Sequence, residues 1–445
     1  MNQLTEPSFS KADFGEKFVW GVATAAFQIE GAANSDGRAP SIWDKFCEKE
    51  GAIADGSDGQ IACDHYNRIE EDLDHIASLG VNAYRFSVSW SRVQPLGDGA
   101  WNEIGFAFYD RLISGLERRG IEAHLTLFHW DLPQALDDRG GWINEDVLDC
   151  FEGYAREICL RFGDRLASIC TFNEPWVISI LGYEQGVFAP GVQDRSLAMQ
   201  VAHNLLVAHG RSLTAIREIN TDLSAGIVLN MSPIYPASED PLDIEKATID
   251  DGLLVRWYMD AIFHGRYPED VMAFLGQDRP TISNTDMSDI SQPVDFIGVN
   301  YYTRNFASTG NPWDASSTGN QVTDMGWEVY PQGLCELLTR LHQDYNPDKL
   351  MVTENGAAFK DVLKDGRVED IDRQTYIERH MAATLDARRM GVPVDGYFIW
   401  SLLDNFEWAS GYEKRFGIIH VDYETLERTP KRSFLWLTDF FKNKG

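Results

Sequence analysis

Two glutamates have neighbours that suit them to acid–base work. Glu174 stands in Thr171-Phe172-Asn173-Glu174-Pro175, after the apolar run 166–170; Glu354 stands in Thr353-Glu354-Asn355-Gly356, at the end of the apolar run 349–353. An apolar run broken by Asn-Glu-Pro reads as a buried strand opening into a loop. The proline biases Glu174 away from helix and ends the ladder there. Each carboxyl is thereby placed at the C-terminal end of a strand, beside an asparagine. Alone, either reads equally well as a solvated loop residue. Together they describe two carboxyls facing one cavity. Such a pair can break a glycosidic bond: one protonates the leaving oxygen, and the other stabilises or attacks the anomeric carbon.

The elements that must hold this pair follow from the hydrophobic periodicity. Strands are predicted at 18–25, 81–90, 121–128, 166–170, 225–230, 294–301, 349–353 and 394–400. Helices are predicted between and after them at 64–79, 106–119, 147–162, about 197–220, 249–264, 333–345, 372–390 and 433–442, with Gly80 and Gly120 as stops. Eight strands separated by helices call for a parallel sheet, and eight such units are the count of the closed barrel. Strands that read as apolar throughout fit burial on both faces. No Pro- or Ser-rich linker interrupts the pattern, so residues 1–445 are assigned to one domain, an α/β fold of the single (β/α)8 TIM-barrel type. The chain exceeds the usual barrel length of roughly 250 residues. Extended βα loops at 34–59, 182–196, 231–245 and 307–330 take up the excess. Barrel active sites lie at the C-terminal strand ends. That rule gathers Gln28, Arg85, His129, Asn173, Glu174, Tyr302, Glu354 and Trp400 around one mouth.

Composition bounds the partners. The 445 residues are 44% hydrophobic, enough for a sizeable core, and carry a formal charge of −30, which repels nucleic acid and anionic membranes. Thirteen Trp and sixteen Tyr supply flat rings that can face sugars or simply fill a core. Cys47, Cys63, Cys150, Cys159, Cys170 and Cys335 form no CxxC pair or metal-like cluster and read as reduced thiols. Residues 1–17 contain no apolar leader-like stretch, and no run reaches the length of a membrane span, so a cytoplasmic location is expected. No GxSxG elbow, Walker loop or HExxH motif occurs. His203 and His209 share one predicted helix, but their spacing is not that of metal ligands. No metal or cofactor is expected. The expected partner is a small-molecule glycoside, with the oligomeric state open.

Several short motifs fall in order at these strand ends: Phe27-Gln28-Ile29-Glu30-Gly31, Tyr84-Arg85-Phe86-Ser87, His129-Trp130-Asp131-Leu132-Pro133, the Asn173-Glu174-Pro175 stretch, Asn300-Tyr301-Tyr302, Thr353-Glu354-Asn355-Gly356, and 400–408 from Trp400 to Trp408. In this series the chain resembles the β-glucosidases of glycoside hydrolase family 1 over nearly its whole length. The resemblance implies retention of configuration, with Glu174 as acid/base and Glu354 as nucleophile, their carboxyls about 5–5.5 Å apart. It implies Arg85 and Tyr302 on the nucleophile, with Asn300 supporting, and Asn173 on the sugar 2-hydroxyl. Gln28, His129, Glu407 and Trp408 correspond to positions that grip the other hydroxyls, and Trp400 is expected to stack on the ring. Trp176, Leu181 and Trp327 follow strand ends and are expected to wall the leaving-group side. Two departures from the family pattern are Ile169, where Trp is common, and Phe188, where a loop histidine is common. The alternatives are galactoside or fucoside preference, a 6-phospho-β-glycosidase, or an inactive sugar-binding barrel. Glu407 would repel a phosphate, and neither glutamate is replaced.

Overall fold

The computed structural model describes residues 9–442. Of the segment 1–17 read above as lacking a leader, residues 1–8 lie outside the described ones. Eight parallel strands close on themselves: β1 Val19–Ala23, β2 Ala83–Ser87, β3 Glu122–Phe128, β4 Ser168–Asn173, β5 Ser224–Asn230, β6 Phe296–Asn300, β7 Leu350–Asn355 and β8 Val394–Trp400. They run in chain order around the barrel, and β8 seals it by pairing with β1 from Val19↔Gly396 to Ala23↔Trp400. The helices that cover it include α1 His65–Leu79, α2 Glu103–Arg118, α3 Glu145–Phe162, α4 Arg195–Ile219, α5 Trp257–His264, α6 Pro331–Tyr345, α7 Ile371–Arg389 and α8 Arg432–Lys442. The predicted stop at Gly80 is used: its φ of 91° lies in the left-handed region open to glycine.

Two apolar layers result. The larger lies between the strands' outer faces and the helices and includes Trp20, Tyr84, Phe151, Phe172 and Tyr397. The smaller, inside the barrel, is built from Ala23, Ala83, Cys170, Val228, Phe296, Met351 and Phe398. Both faces of the strands are buried, as expected, but the inner face is not wholly apolar. Buried Arg85, His124, Thr126, Ser168 and Asn173 share the strands with that cluster, and each finds a partner within the barrel: Arg85 with Asn173, His124 with Ser168, and Thr126 with Cys170.

The long loops carry regular structure of their own. Residues 34–59 contain the helix Ile42–Cys47, and 231–245 contain the short strand Ile234–Pro236, paired with Asn305–Ala307. The predicted helix 249–264 is three pieces, with α5 joined to the helix Pro241–Asp251 by a wide π-type turn at Gly252–Arg256. A second wide-turn helix, Val177–Glu184, occupies the start of the expected loop 182–196. Pro175, which ends the β4 ladder, begins this helix, since a proline at the first helical position forfeits no hydrogen bond. Trp176 and Leu181 are thereby carried back over the barrel mouth.

Candidate active site

Strand register sets the two glutamates. Glu174 is the first residue beyond β4 and takes φ 53°, a left-handed conformation uncommon outside glycine. Its backbone N–H donates to the Val228 carbonyl of β5 at 2.9 Å, which holds the turn from the side. Glu354 lies within β7, where it pairs with Asn300 of β6, and Asn300 in turn pairs with Asn230 of β5. Three strand ends thus present polar groups side by side. Gly356 follows where β7 passes β8; a Cβ there would lie 1.6 Å from the Trp400 carbonyl oxygen, so the close approach demands glycine.

The side chains form one connected network. Arg85 donates Nη1 to Glu354 Oε1 at 2.6 Å and Nη2 to Asn173 Oδ1 at 2.7 Å. Tyr302 donates its hydroxyl to the other Glu354 oxygen, Oε2, at 2.6 Å. Asn300 Nδ2 donates to Glu174 Oε1 at 2.5 Å and to Asn173 Oδ1 at 3.0 Å, while its Oδ1 accepts from Thr353 at 2.8 Å. Hydrogen bonds therefore run from Glu174 through Asn300, Asn173 and Arg85 to Glu354. A fixed network of this kind holds carboxyl geometry because each member has few alternative partners once buried.

The same network separates the two electrostatically. Burial pushes both carboxyls above the ordinary range. For Glu174 burial dominates and the neighbouring Glu354 adds to it, the Asn300 amide and then Arg85 oppose them, and the group is pushed up to about 8. For Glu354 the Arg85 guanidinium and the Tyr302 hydroxyl pull against burial. The first proton to leave this coupled pair is therefore that of Glu354, which has two donors on its oxygens, while Glu174 stays protonated. Burial and Arg85 also draw His129 well below the usual histidine value, so its ring is neutral. Glu407, pushed up to about 8 by burial and then by Glu354, is a third carboxyl in the same cavity.

A cavity of about 290 Å³ opens above the pair, lined by His129, Glu174, Asn300, Tyr302, Glu354, Trp400, Glu407 and Trp408 of the residues expected there, and by Trp176, Leu181 and Trp327 further out. Three expected residues do not reach its surface. Arg85 and Asn173 lie beneath it, buried in the network just described, and Gln28 lies behind Glu407. Gln28 donates Nε2 to Asn405 Oδ1 at 3.0 Å and to the Phe406 carbonyl at 2.8 Å, which leaves its buried Oε1 unpartnered. Asn173 Nδ2 spends one hydrogen on His129 Nε2 at 3.2 Å and keeps the other free. The rings of His129 and Trp400 lie nearly parallel, 5.8 Å apart. Phe188, the departure at the rim, lines the cavity and packs on Trp43 and Trp130. Ile169, the other departure, is buried in the outer layer.

A model of glycosyl hydrolase family 1 matches residues 10–445. The chain belongs to that family. β-Glucosidase A of Acetivibrio thermocellus is 45% identical over 98% of this chain and all of its own length. The 1,4-β-D-glucan glucohydrolase of Thermotoga neapolitana is 43% identical over 97% of this chain and 99% of its own. Among solved structures, the family 1 β-glucosidase of Thermotoga maritima in complex with isofagomine lactam superposes with a TM-score of 0.93 at 43% identity, covering 97% of this chain and 99% of that one.

Within this family 1 barrel, the cavity also has lining that sequence reasoning missed: Trp130, Asn230, Ser232, Asn305, Met325 and Phe416. Asn230 closes β5 as Asn300 closes β6, so a search for strand-end asparagines would have found it. Met325 and Phe416 come from long loops without a local signal. The histidines on α4 are occupied elsewhere, His203 with Tyr267 and Asp286, and His209 with Thr171. Among the described residues no group of three or more His, Cys, Asp or Glu is placed to hold a metal, and no helix is long and apolar enough to cross a membrane.

Proposed function

We infer that the protein is a retaining β-glucosidase that releases terminal non-reducing β-D-glucosyl residues from disaccharides, short oligosaccharides and aryl or alkyl β-glucosides. The observation that carries this reading is the unequal treatment of two buried carboxyls in one cavity: Glu354 held by Arg85 and Tyr302, and Glu174 left with a single amide. The names of relatives 43–45% identical to this chain support the choice of glucoside and of short glucan chains.

The geometry translates into two steps. The Glu354 carboxylate attacks the anomeric carbon while the C–O bond to the leaving group breaks, and Glu174 gives its proton to the departing oxygen. The resulting glycosyl ester has no charge on Glu354. The Coulombic push that this charge exerts on Glu174 then disappears, so the acid's pKa falls and Glu174 becomes a base. It takes a proton from water, the hydroxide attacks the same carbon from the opposite face, and Glu354 leaves as carboxylate. Two inversions return the β-anomer. Arg85 and Tyr302 keep the nucleophile ionised and aimed. His129, Glu407 and Trp408 stand around the sugar ring with Trp400 beneath it, while Asn173 and Gln28 support them from under the cavity, Asn173 through its bond to His129 and Gln28 through Asn405 and the Phe406 carbonyl. Trp176, Leu181 and Trp327 wall the leaving-group side.

A 6-phosphosugar is disfavoured, because the cavity lining around Glu407 holds no Lys or Arg to pair with a phosphate. A reducing, intracellular setting suits six thiols of which none is bonded to another. The decisive experiment is a panel of p-nitrophenyl β-D-glycosides and cellobiose, with NMR of the first anomer released. Rapid appearance of β-glucose supports the reading. First release of α-glucose refutes the mechanism, and hydrolysis confined to phosphorylated or non-gluco substrates refutes the specificity.

A further inference from the structure

Behind the cavity lies a cluster of charges that the chemistry above does not use. Lys431, fully buried between the strand Arg428–Pro430 and α8, donates to Asp404 Oδ1 at 2.6 Å and to Asp361. Asp404 accepts as well from Arg415 at 2.7 Å and from the Gly417 backbone N–H at 3.0 Å. Asp361 is held by both terminal nitrogens of Arg373, each at 3.0 Å. Arg373 also donates to Asp370 at 2.6 Å and to the Ala357 and Arg415 carbonyls. Three carboxylates and three cations thus balance in a place where, Arg415 excepted, the charged side chains are no more than 1% exposed.

Taking six charges out of water is expensive, and well-packed apolar residues commonly serve stability as well or better. What the ions supply here is fixed geometry between segments that are remote in sequence. Asp361 and the Ala357 carbonyl belong to the segment that follows Glu354. Asp404 precedes Asn405, Phe406 and Glu407. Asn405 Oδ1 and the Phe406 carbonyl are the two acceptors that orient Gln28, and Gly417 neighbours Phe416 on the cavity wall. The cluster therefore sits at the junction of the nucleophile's loop and the loop bearing Glu407. Burial pushes Asp404 up, but Lys431, Arg415 and Arg373 outweigh it and keep the carboxyl below its ordinary range, so it stays charged.

We propose that Lys431 and Asp404 are positioning residues for sugar recognition: their ion pair fixes the 401–407 loop against the loop after Glu354, and so sets where Glu407, backed by Gln28, meets the glycone hydroxyls. This rests on the reading of Glu407 as a glycone-binding group. A role limited to stability would alter folding or lower all activities alike. A positioning role acts unequally on substrates that need the grip of Glu407 to different degrees.

The test compares kcat/KM for p-nitrophenyl β-D-glucoside with that for p-nitrophenyl β-D-xyloside, which lacks the hydroxymethyl arm. Two variants are used: Asp404→Asn, and the double variant Lys431→Met/Asp404→Asn, which removes one charge of each sign and keeps the cluster neutral. Glu407→Gln serves as the reference for loss of the grip itself. In both cluster variants the glucoside-to-xyloside ratio should fall by about fivefold or more, mostly through KM for the glucoside. A ratio that stays within about twofold of the parent in a folded variant, while Glu407→Gln collapses it, overturns the positioning role alone. If Glu407→Gln leaves the ratio intact, the glycone reading of Glu407 fails and the proposal falls with it. Should the double variant not fold, Asp404→Asn, which keeps the shape of the side chain, decides the matter.

Discussion

Replacing Tyr302 by Phe removes one hydroxyl, and the structure says what that should do. The hydroxyl donates to Glu354 Oε2 at 2.6 Å, and the ring is fixed beside Trp327 and Phe416 at centroid distances of 5.4 and 6.0 Å, so the ring should stay in place. A hydrogen bond to an ionised group contributes about 1.5–3 kcal/mol. At about 1.4 kcal/mol per pKa unit, its loss raises the Glu354 pKa by about 1–2 units. Arg85 remains on the other oxygen at 2.6 Å, which keeps the shift near the lower end of that range. The sign follows from the role. The tyrosine favours the charged carboxylate, so its loss raises the pKa, and activity that requires the carboxylate disappears at a higher pH on the acid side. The basic limb reports the proton on Glu174, whose pKa is pushed up to about 8, so activity falls as pH rises through that region in parent and variant alike. The assay is the pH profile of kcat/KM for p-nitrophenyl β-D-glucoside, fitted for two limbs of the coupled pair. The acid limb should move up by about one unit while the basic limb stays. An acid limb that moves by less than about 0.3 units, or a basic limb that moves instead, refutes the assignment of nucleophile and acid.

Three further substitutions test the remaining parts of the site. Glu354→Gly should abolish hydrolysis, since no glycosyl ester can form. Azide should restore turnover of an activated aryl glucoside, with α-glucosyl azide as the product detected by NMR; near-parent activity without azide contradicts the role. Glu174→Ala should spare the first step for substrates with good leaving groups and let the glycosyl-enzyme accumulate, visible as a mass increase in intact-protein mass spectrometry. Unactivated disaccharides should lose orders of magnitude, and an equal loss on both kinds of substrate would mark Glu174 as structural. Trp327→Ala removes a ring whose burial against an aglycone is worth roughly 1.5–3 kcal/mol. KM for aryl glucosides should rise by about tenfold or more with kcat little changed; steady-state kinetics showing an unchanged KM would take Trp327 out of the leaving-group site.

Much of this protein can be read from the chain by itself, because the signals are local. An apolar run that ends in a glutamate beside an asparagine, closed by proline at Pro175 or by glycine at Gly356, is visible within ten residues, and it located β4 and β7 with their glutamates. Continuous apolar runs alternating with helical spacing placed the other strands within a few residues of their observed bounds, β8 among them at 394–400. Boundaries drifted where turn geometry rather than hydrophobicity decides, as at the wide-turn helix Val177–Glu184, whose apolar residues carry no mark distinguishing it from a loop. What closure of the barrel decided was everything that depends on distance through space. Arg85, Asn173, Asn300 and Glu354 come from four strands, and only strand register makes them one hydrogen-bonded chain. The acid and the nucleophile are the same amino acid, each with an asparagine beside it. Their difference arises from desolvation and from which donors the fold delivers, and neither is written near either residue. The outer wall from Asn230 to Phe416 and the buried pairing of Lys431 with Asp404 belong to the same class. Sequence fixes which groups a chain possesses and which local conformations it favours. Electrostatic energy falls with separation and rises as water is excluded, so the chemistry of those groups is set only once the tertiary fold has brought them together and dried the space between them.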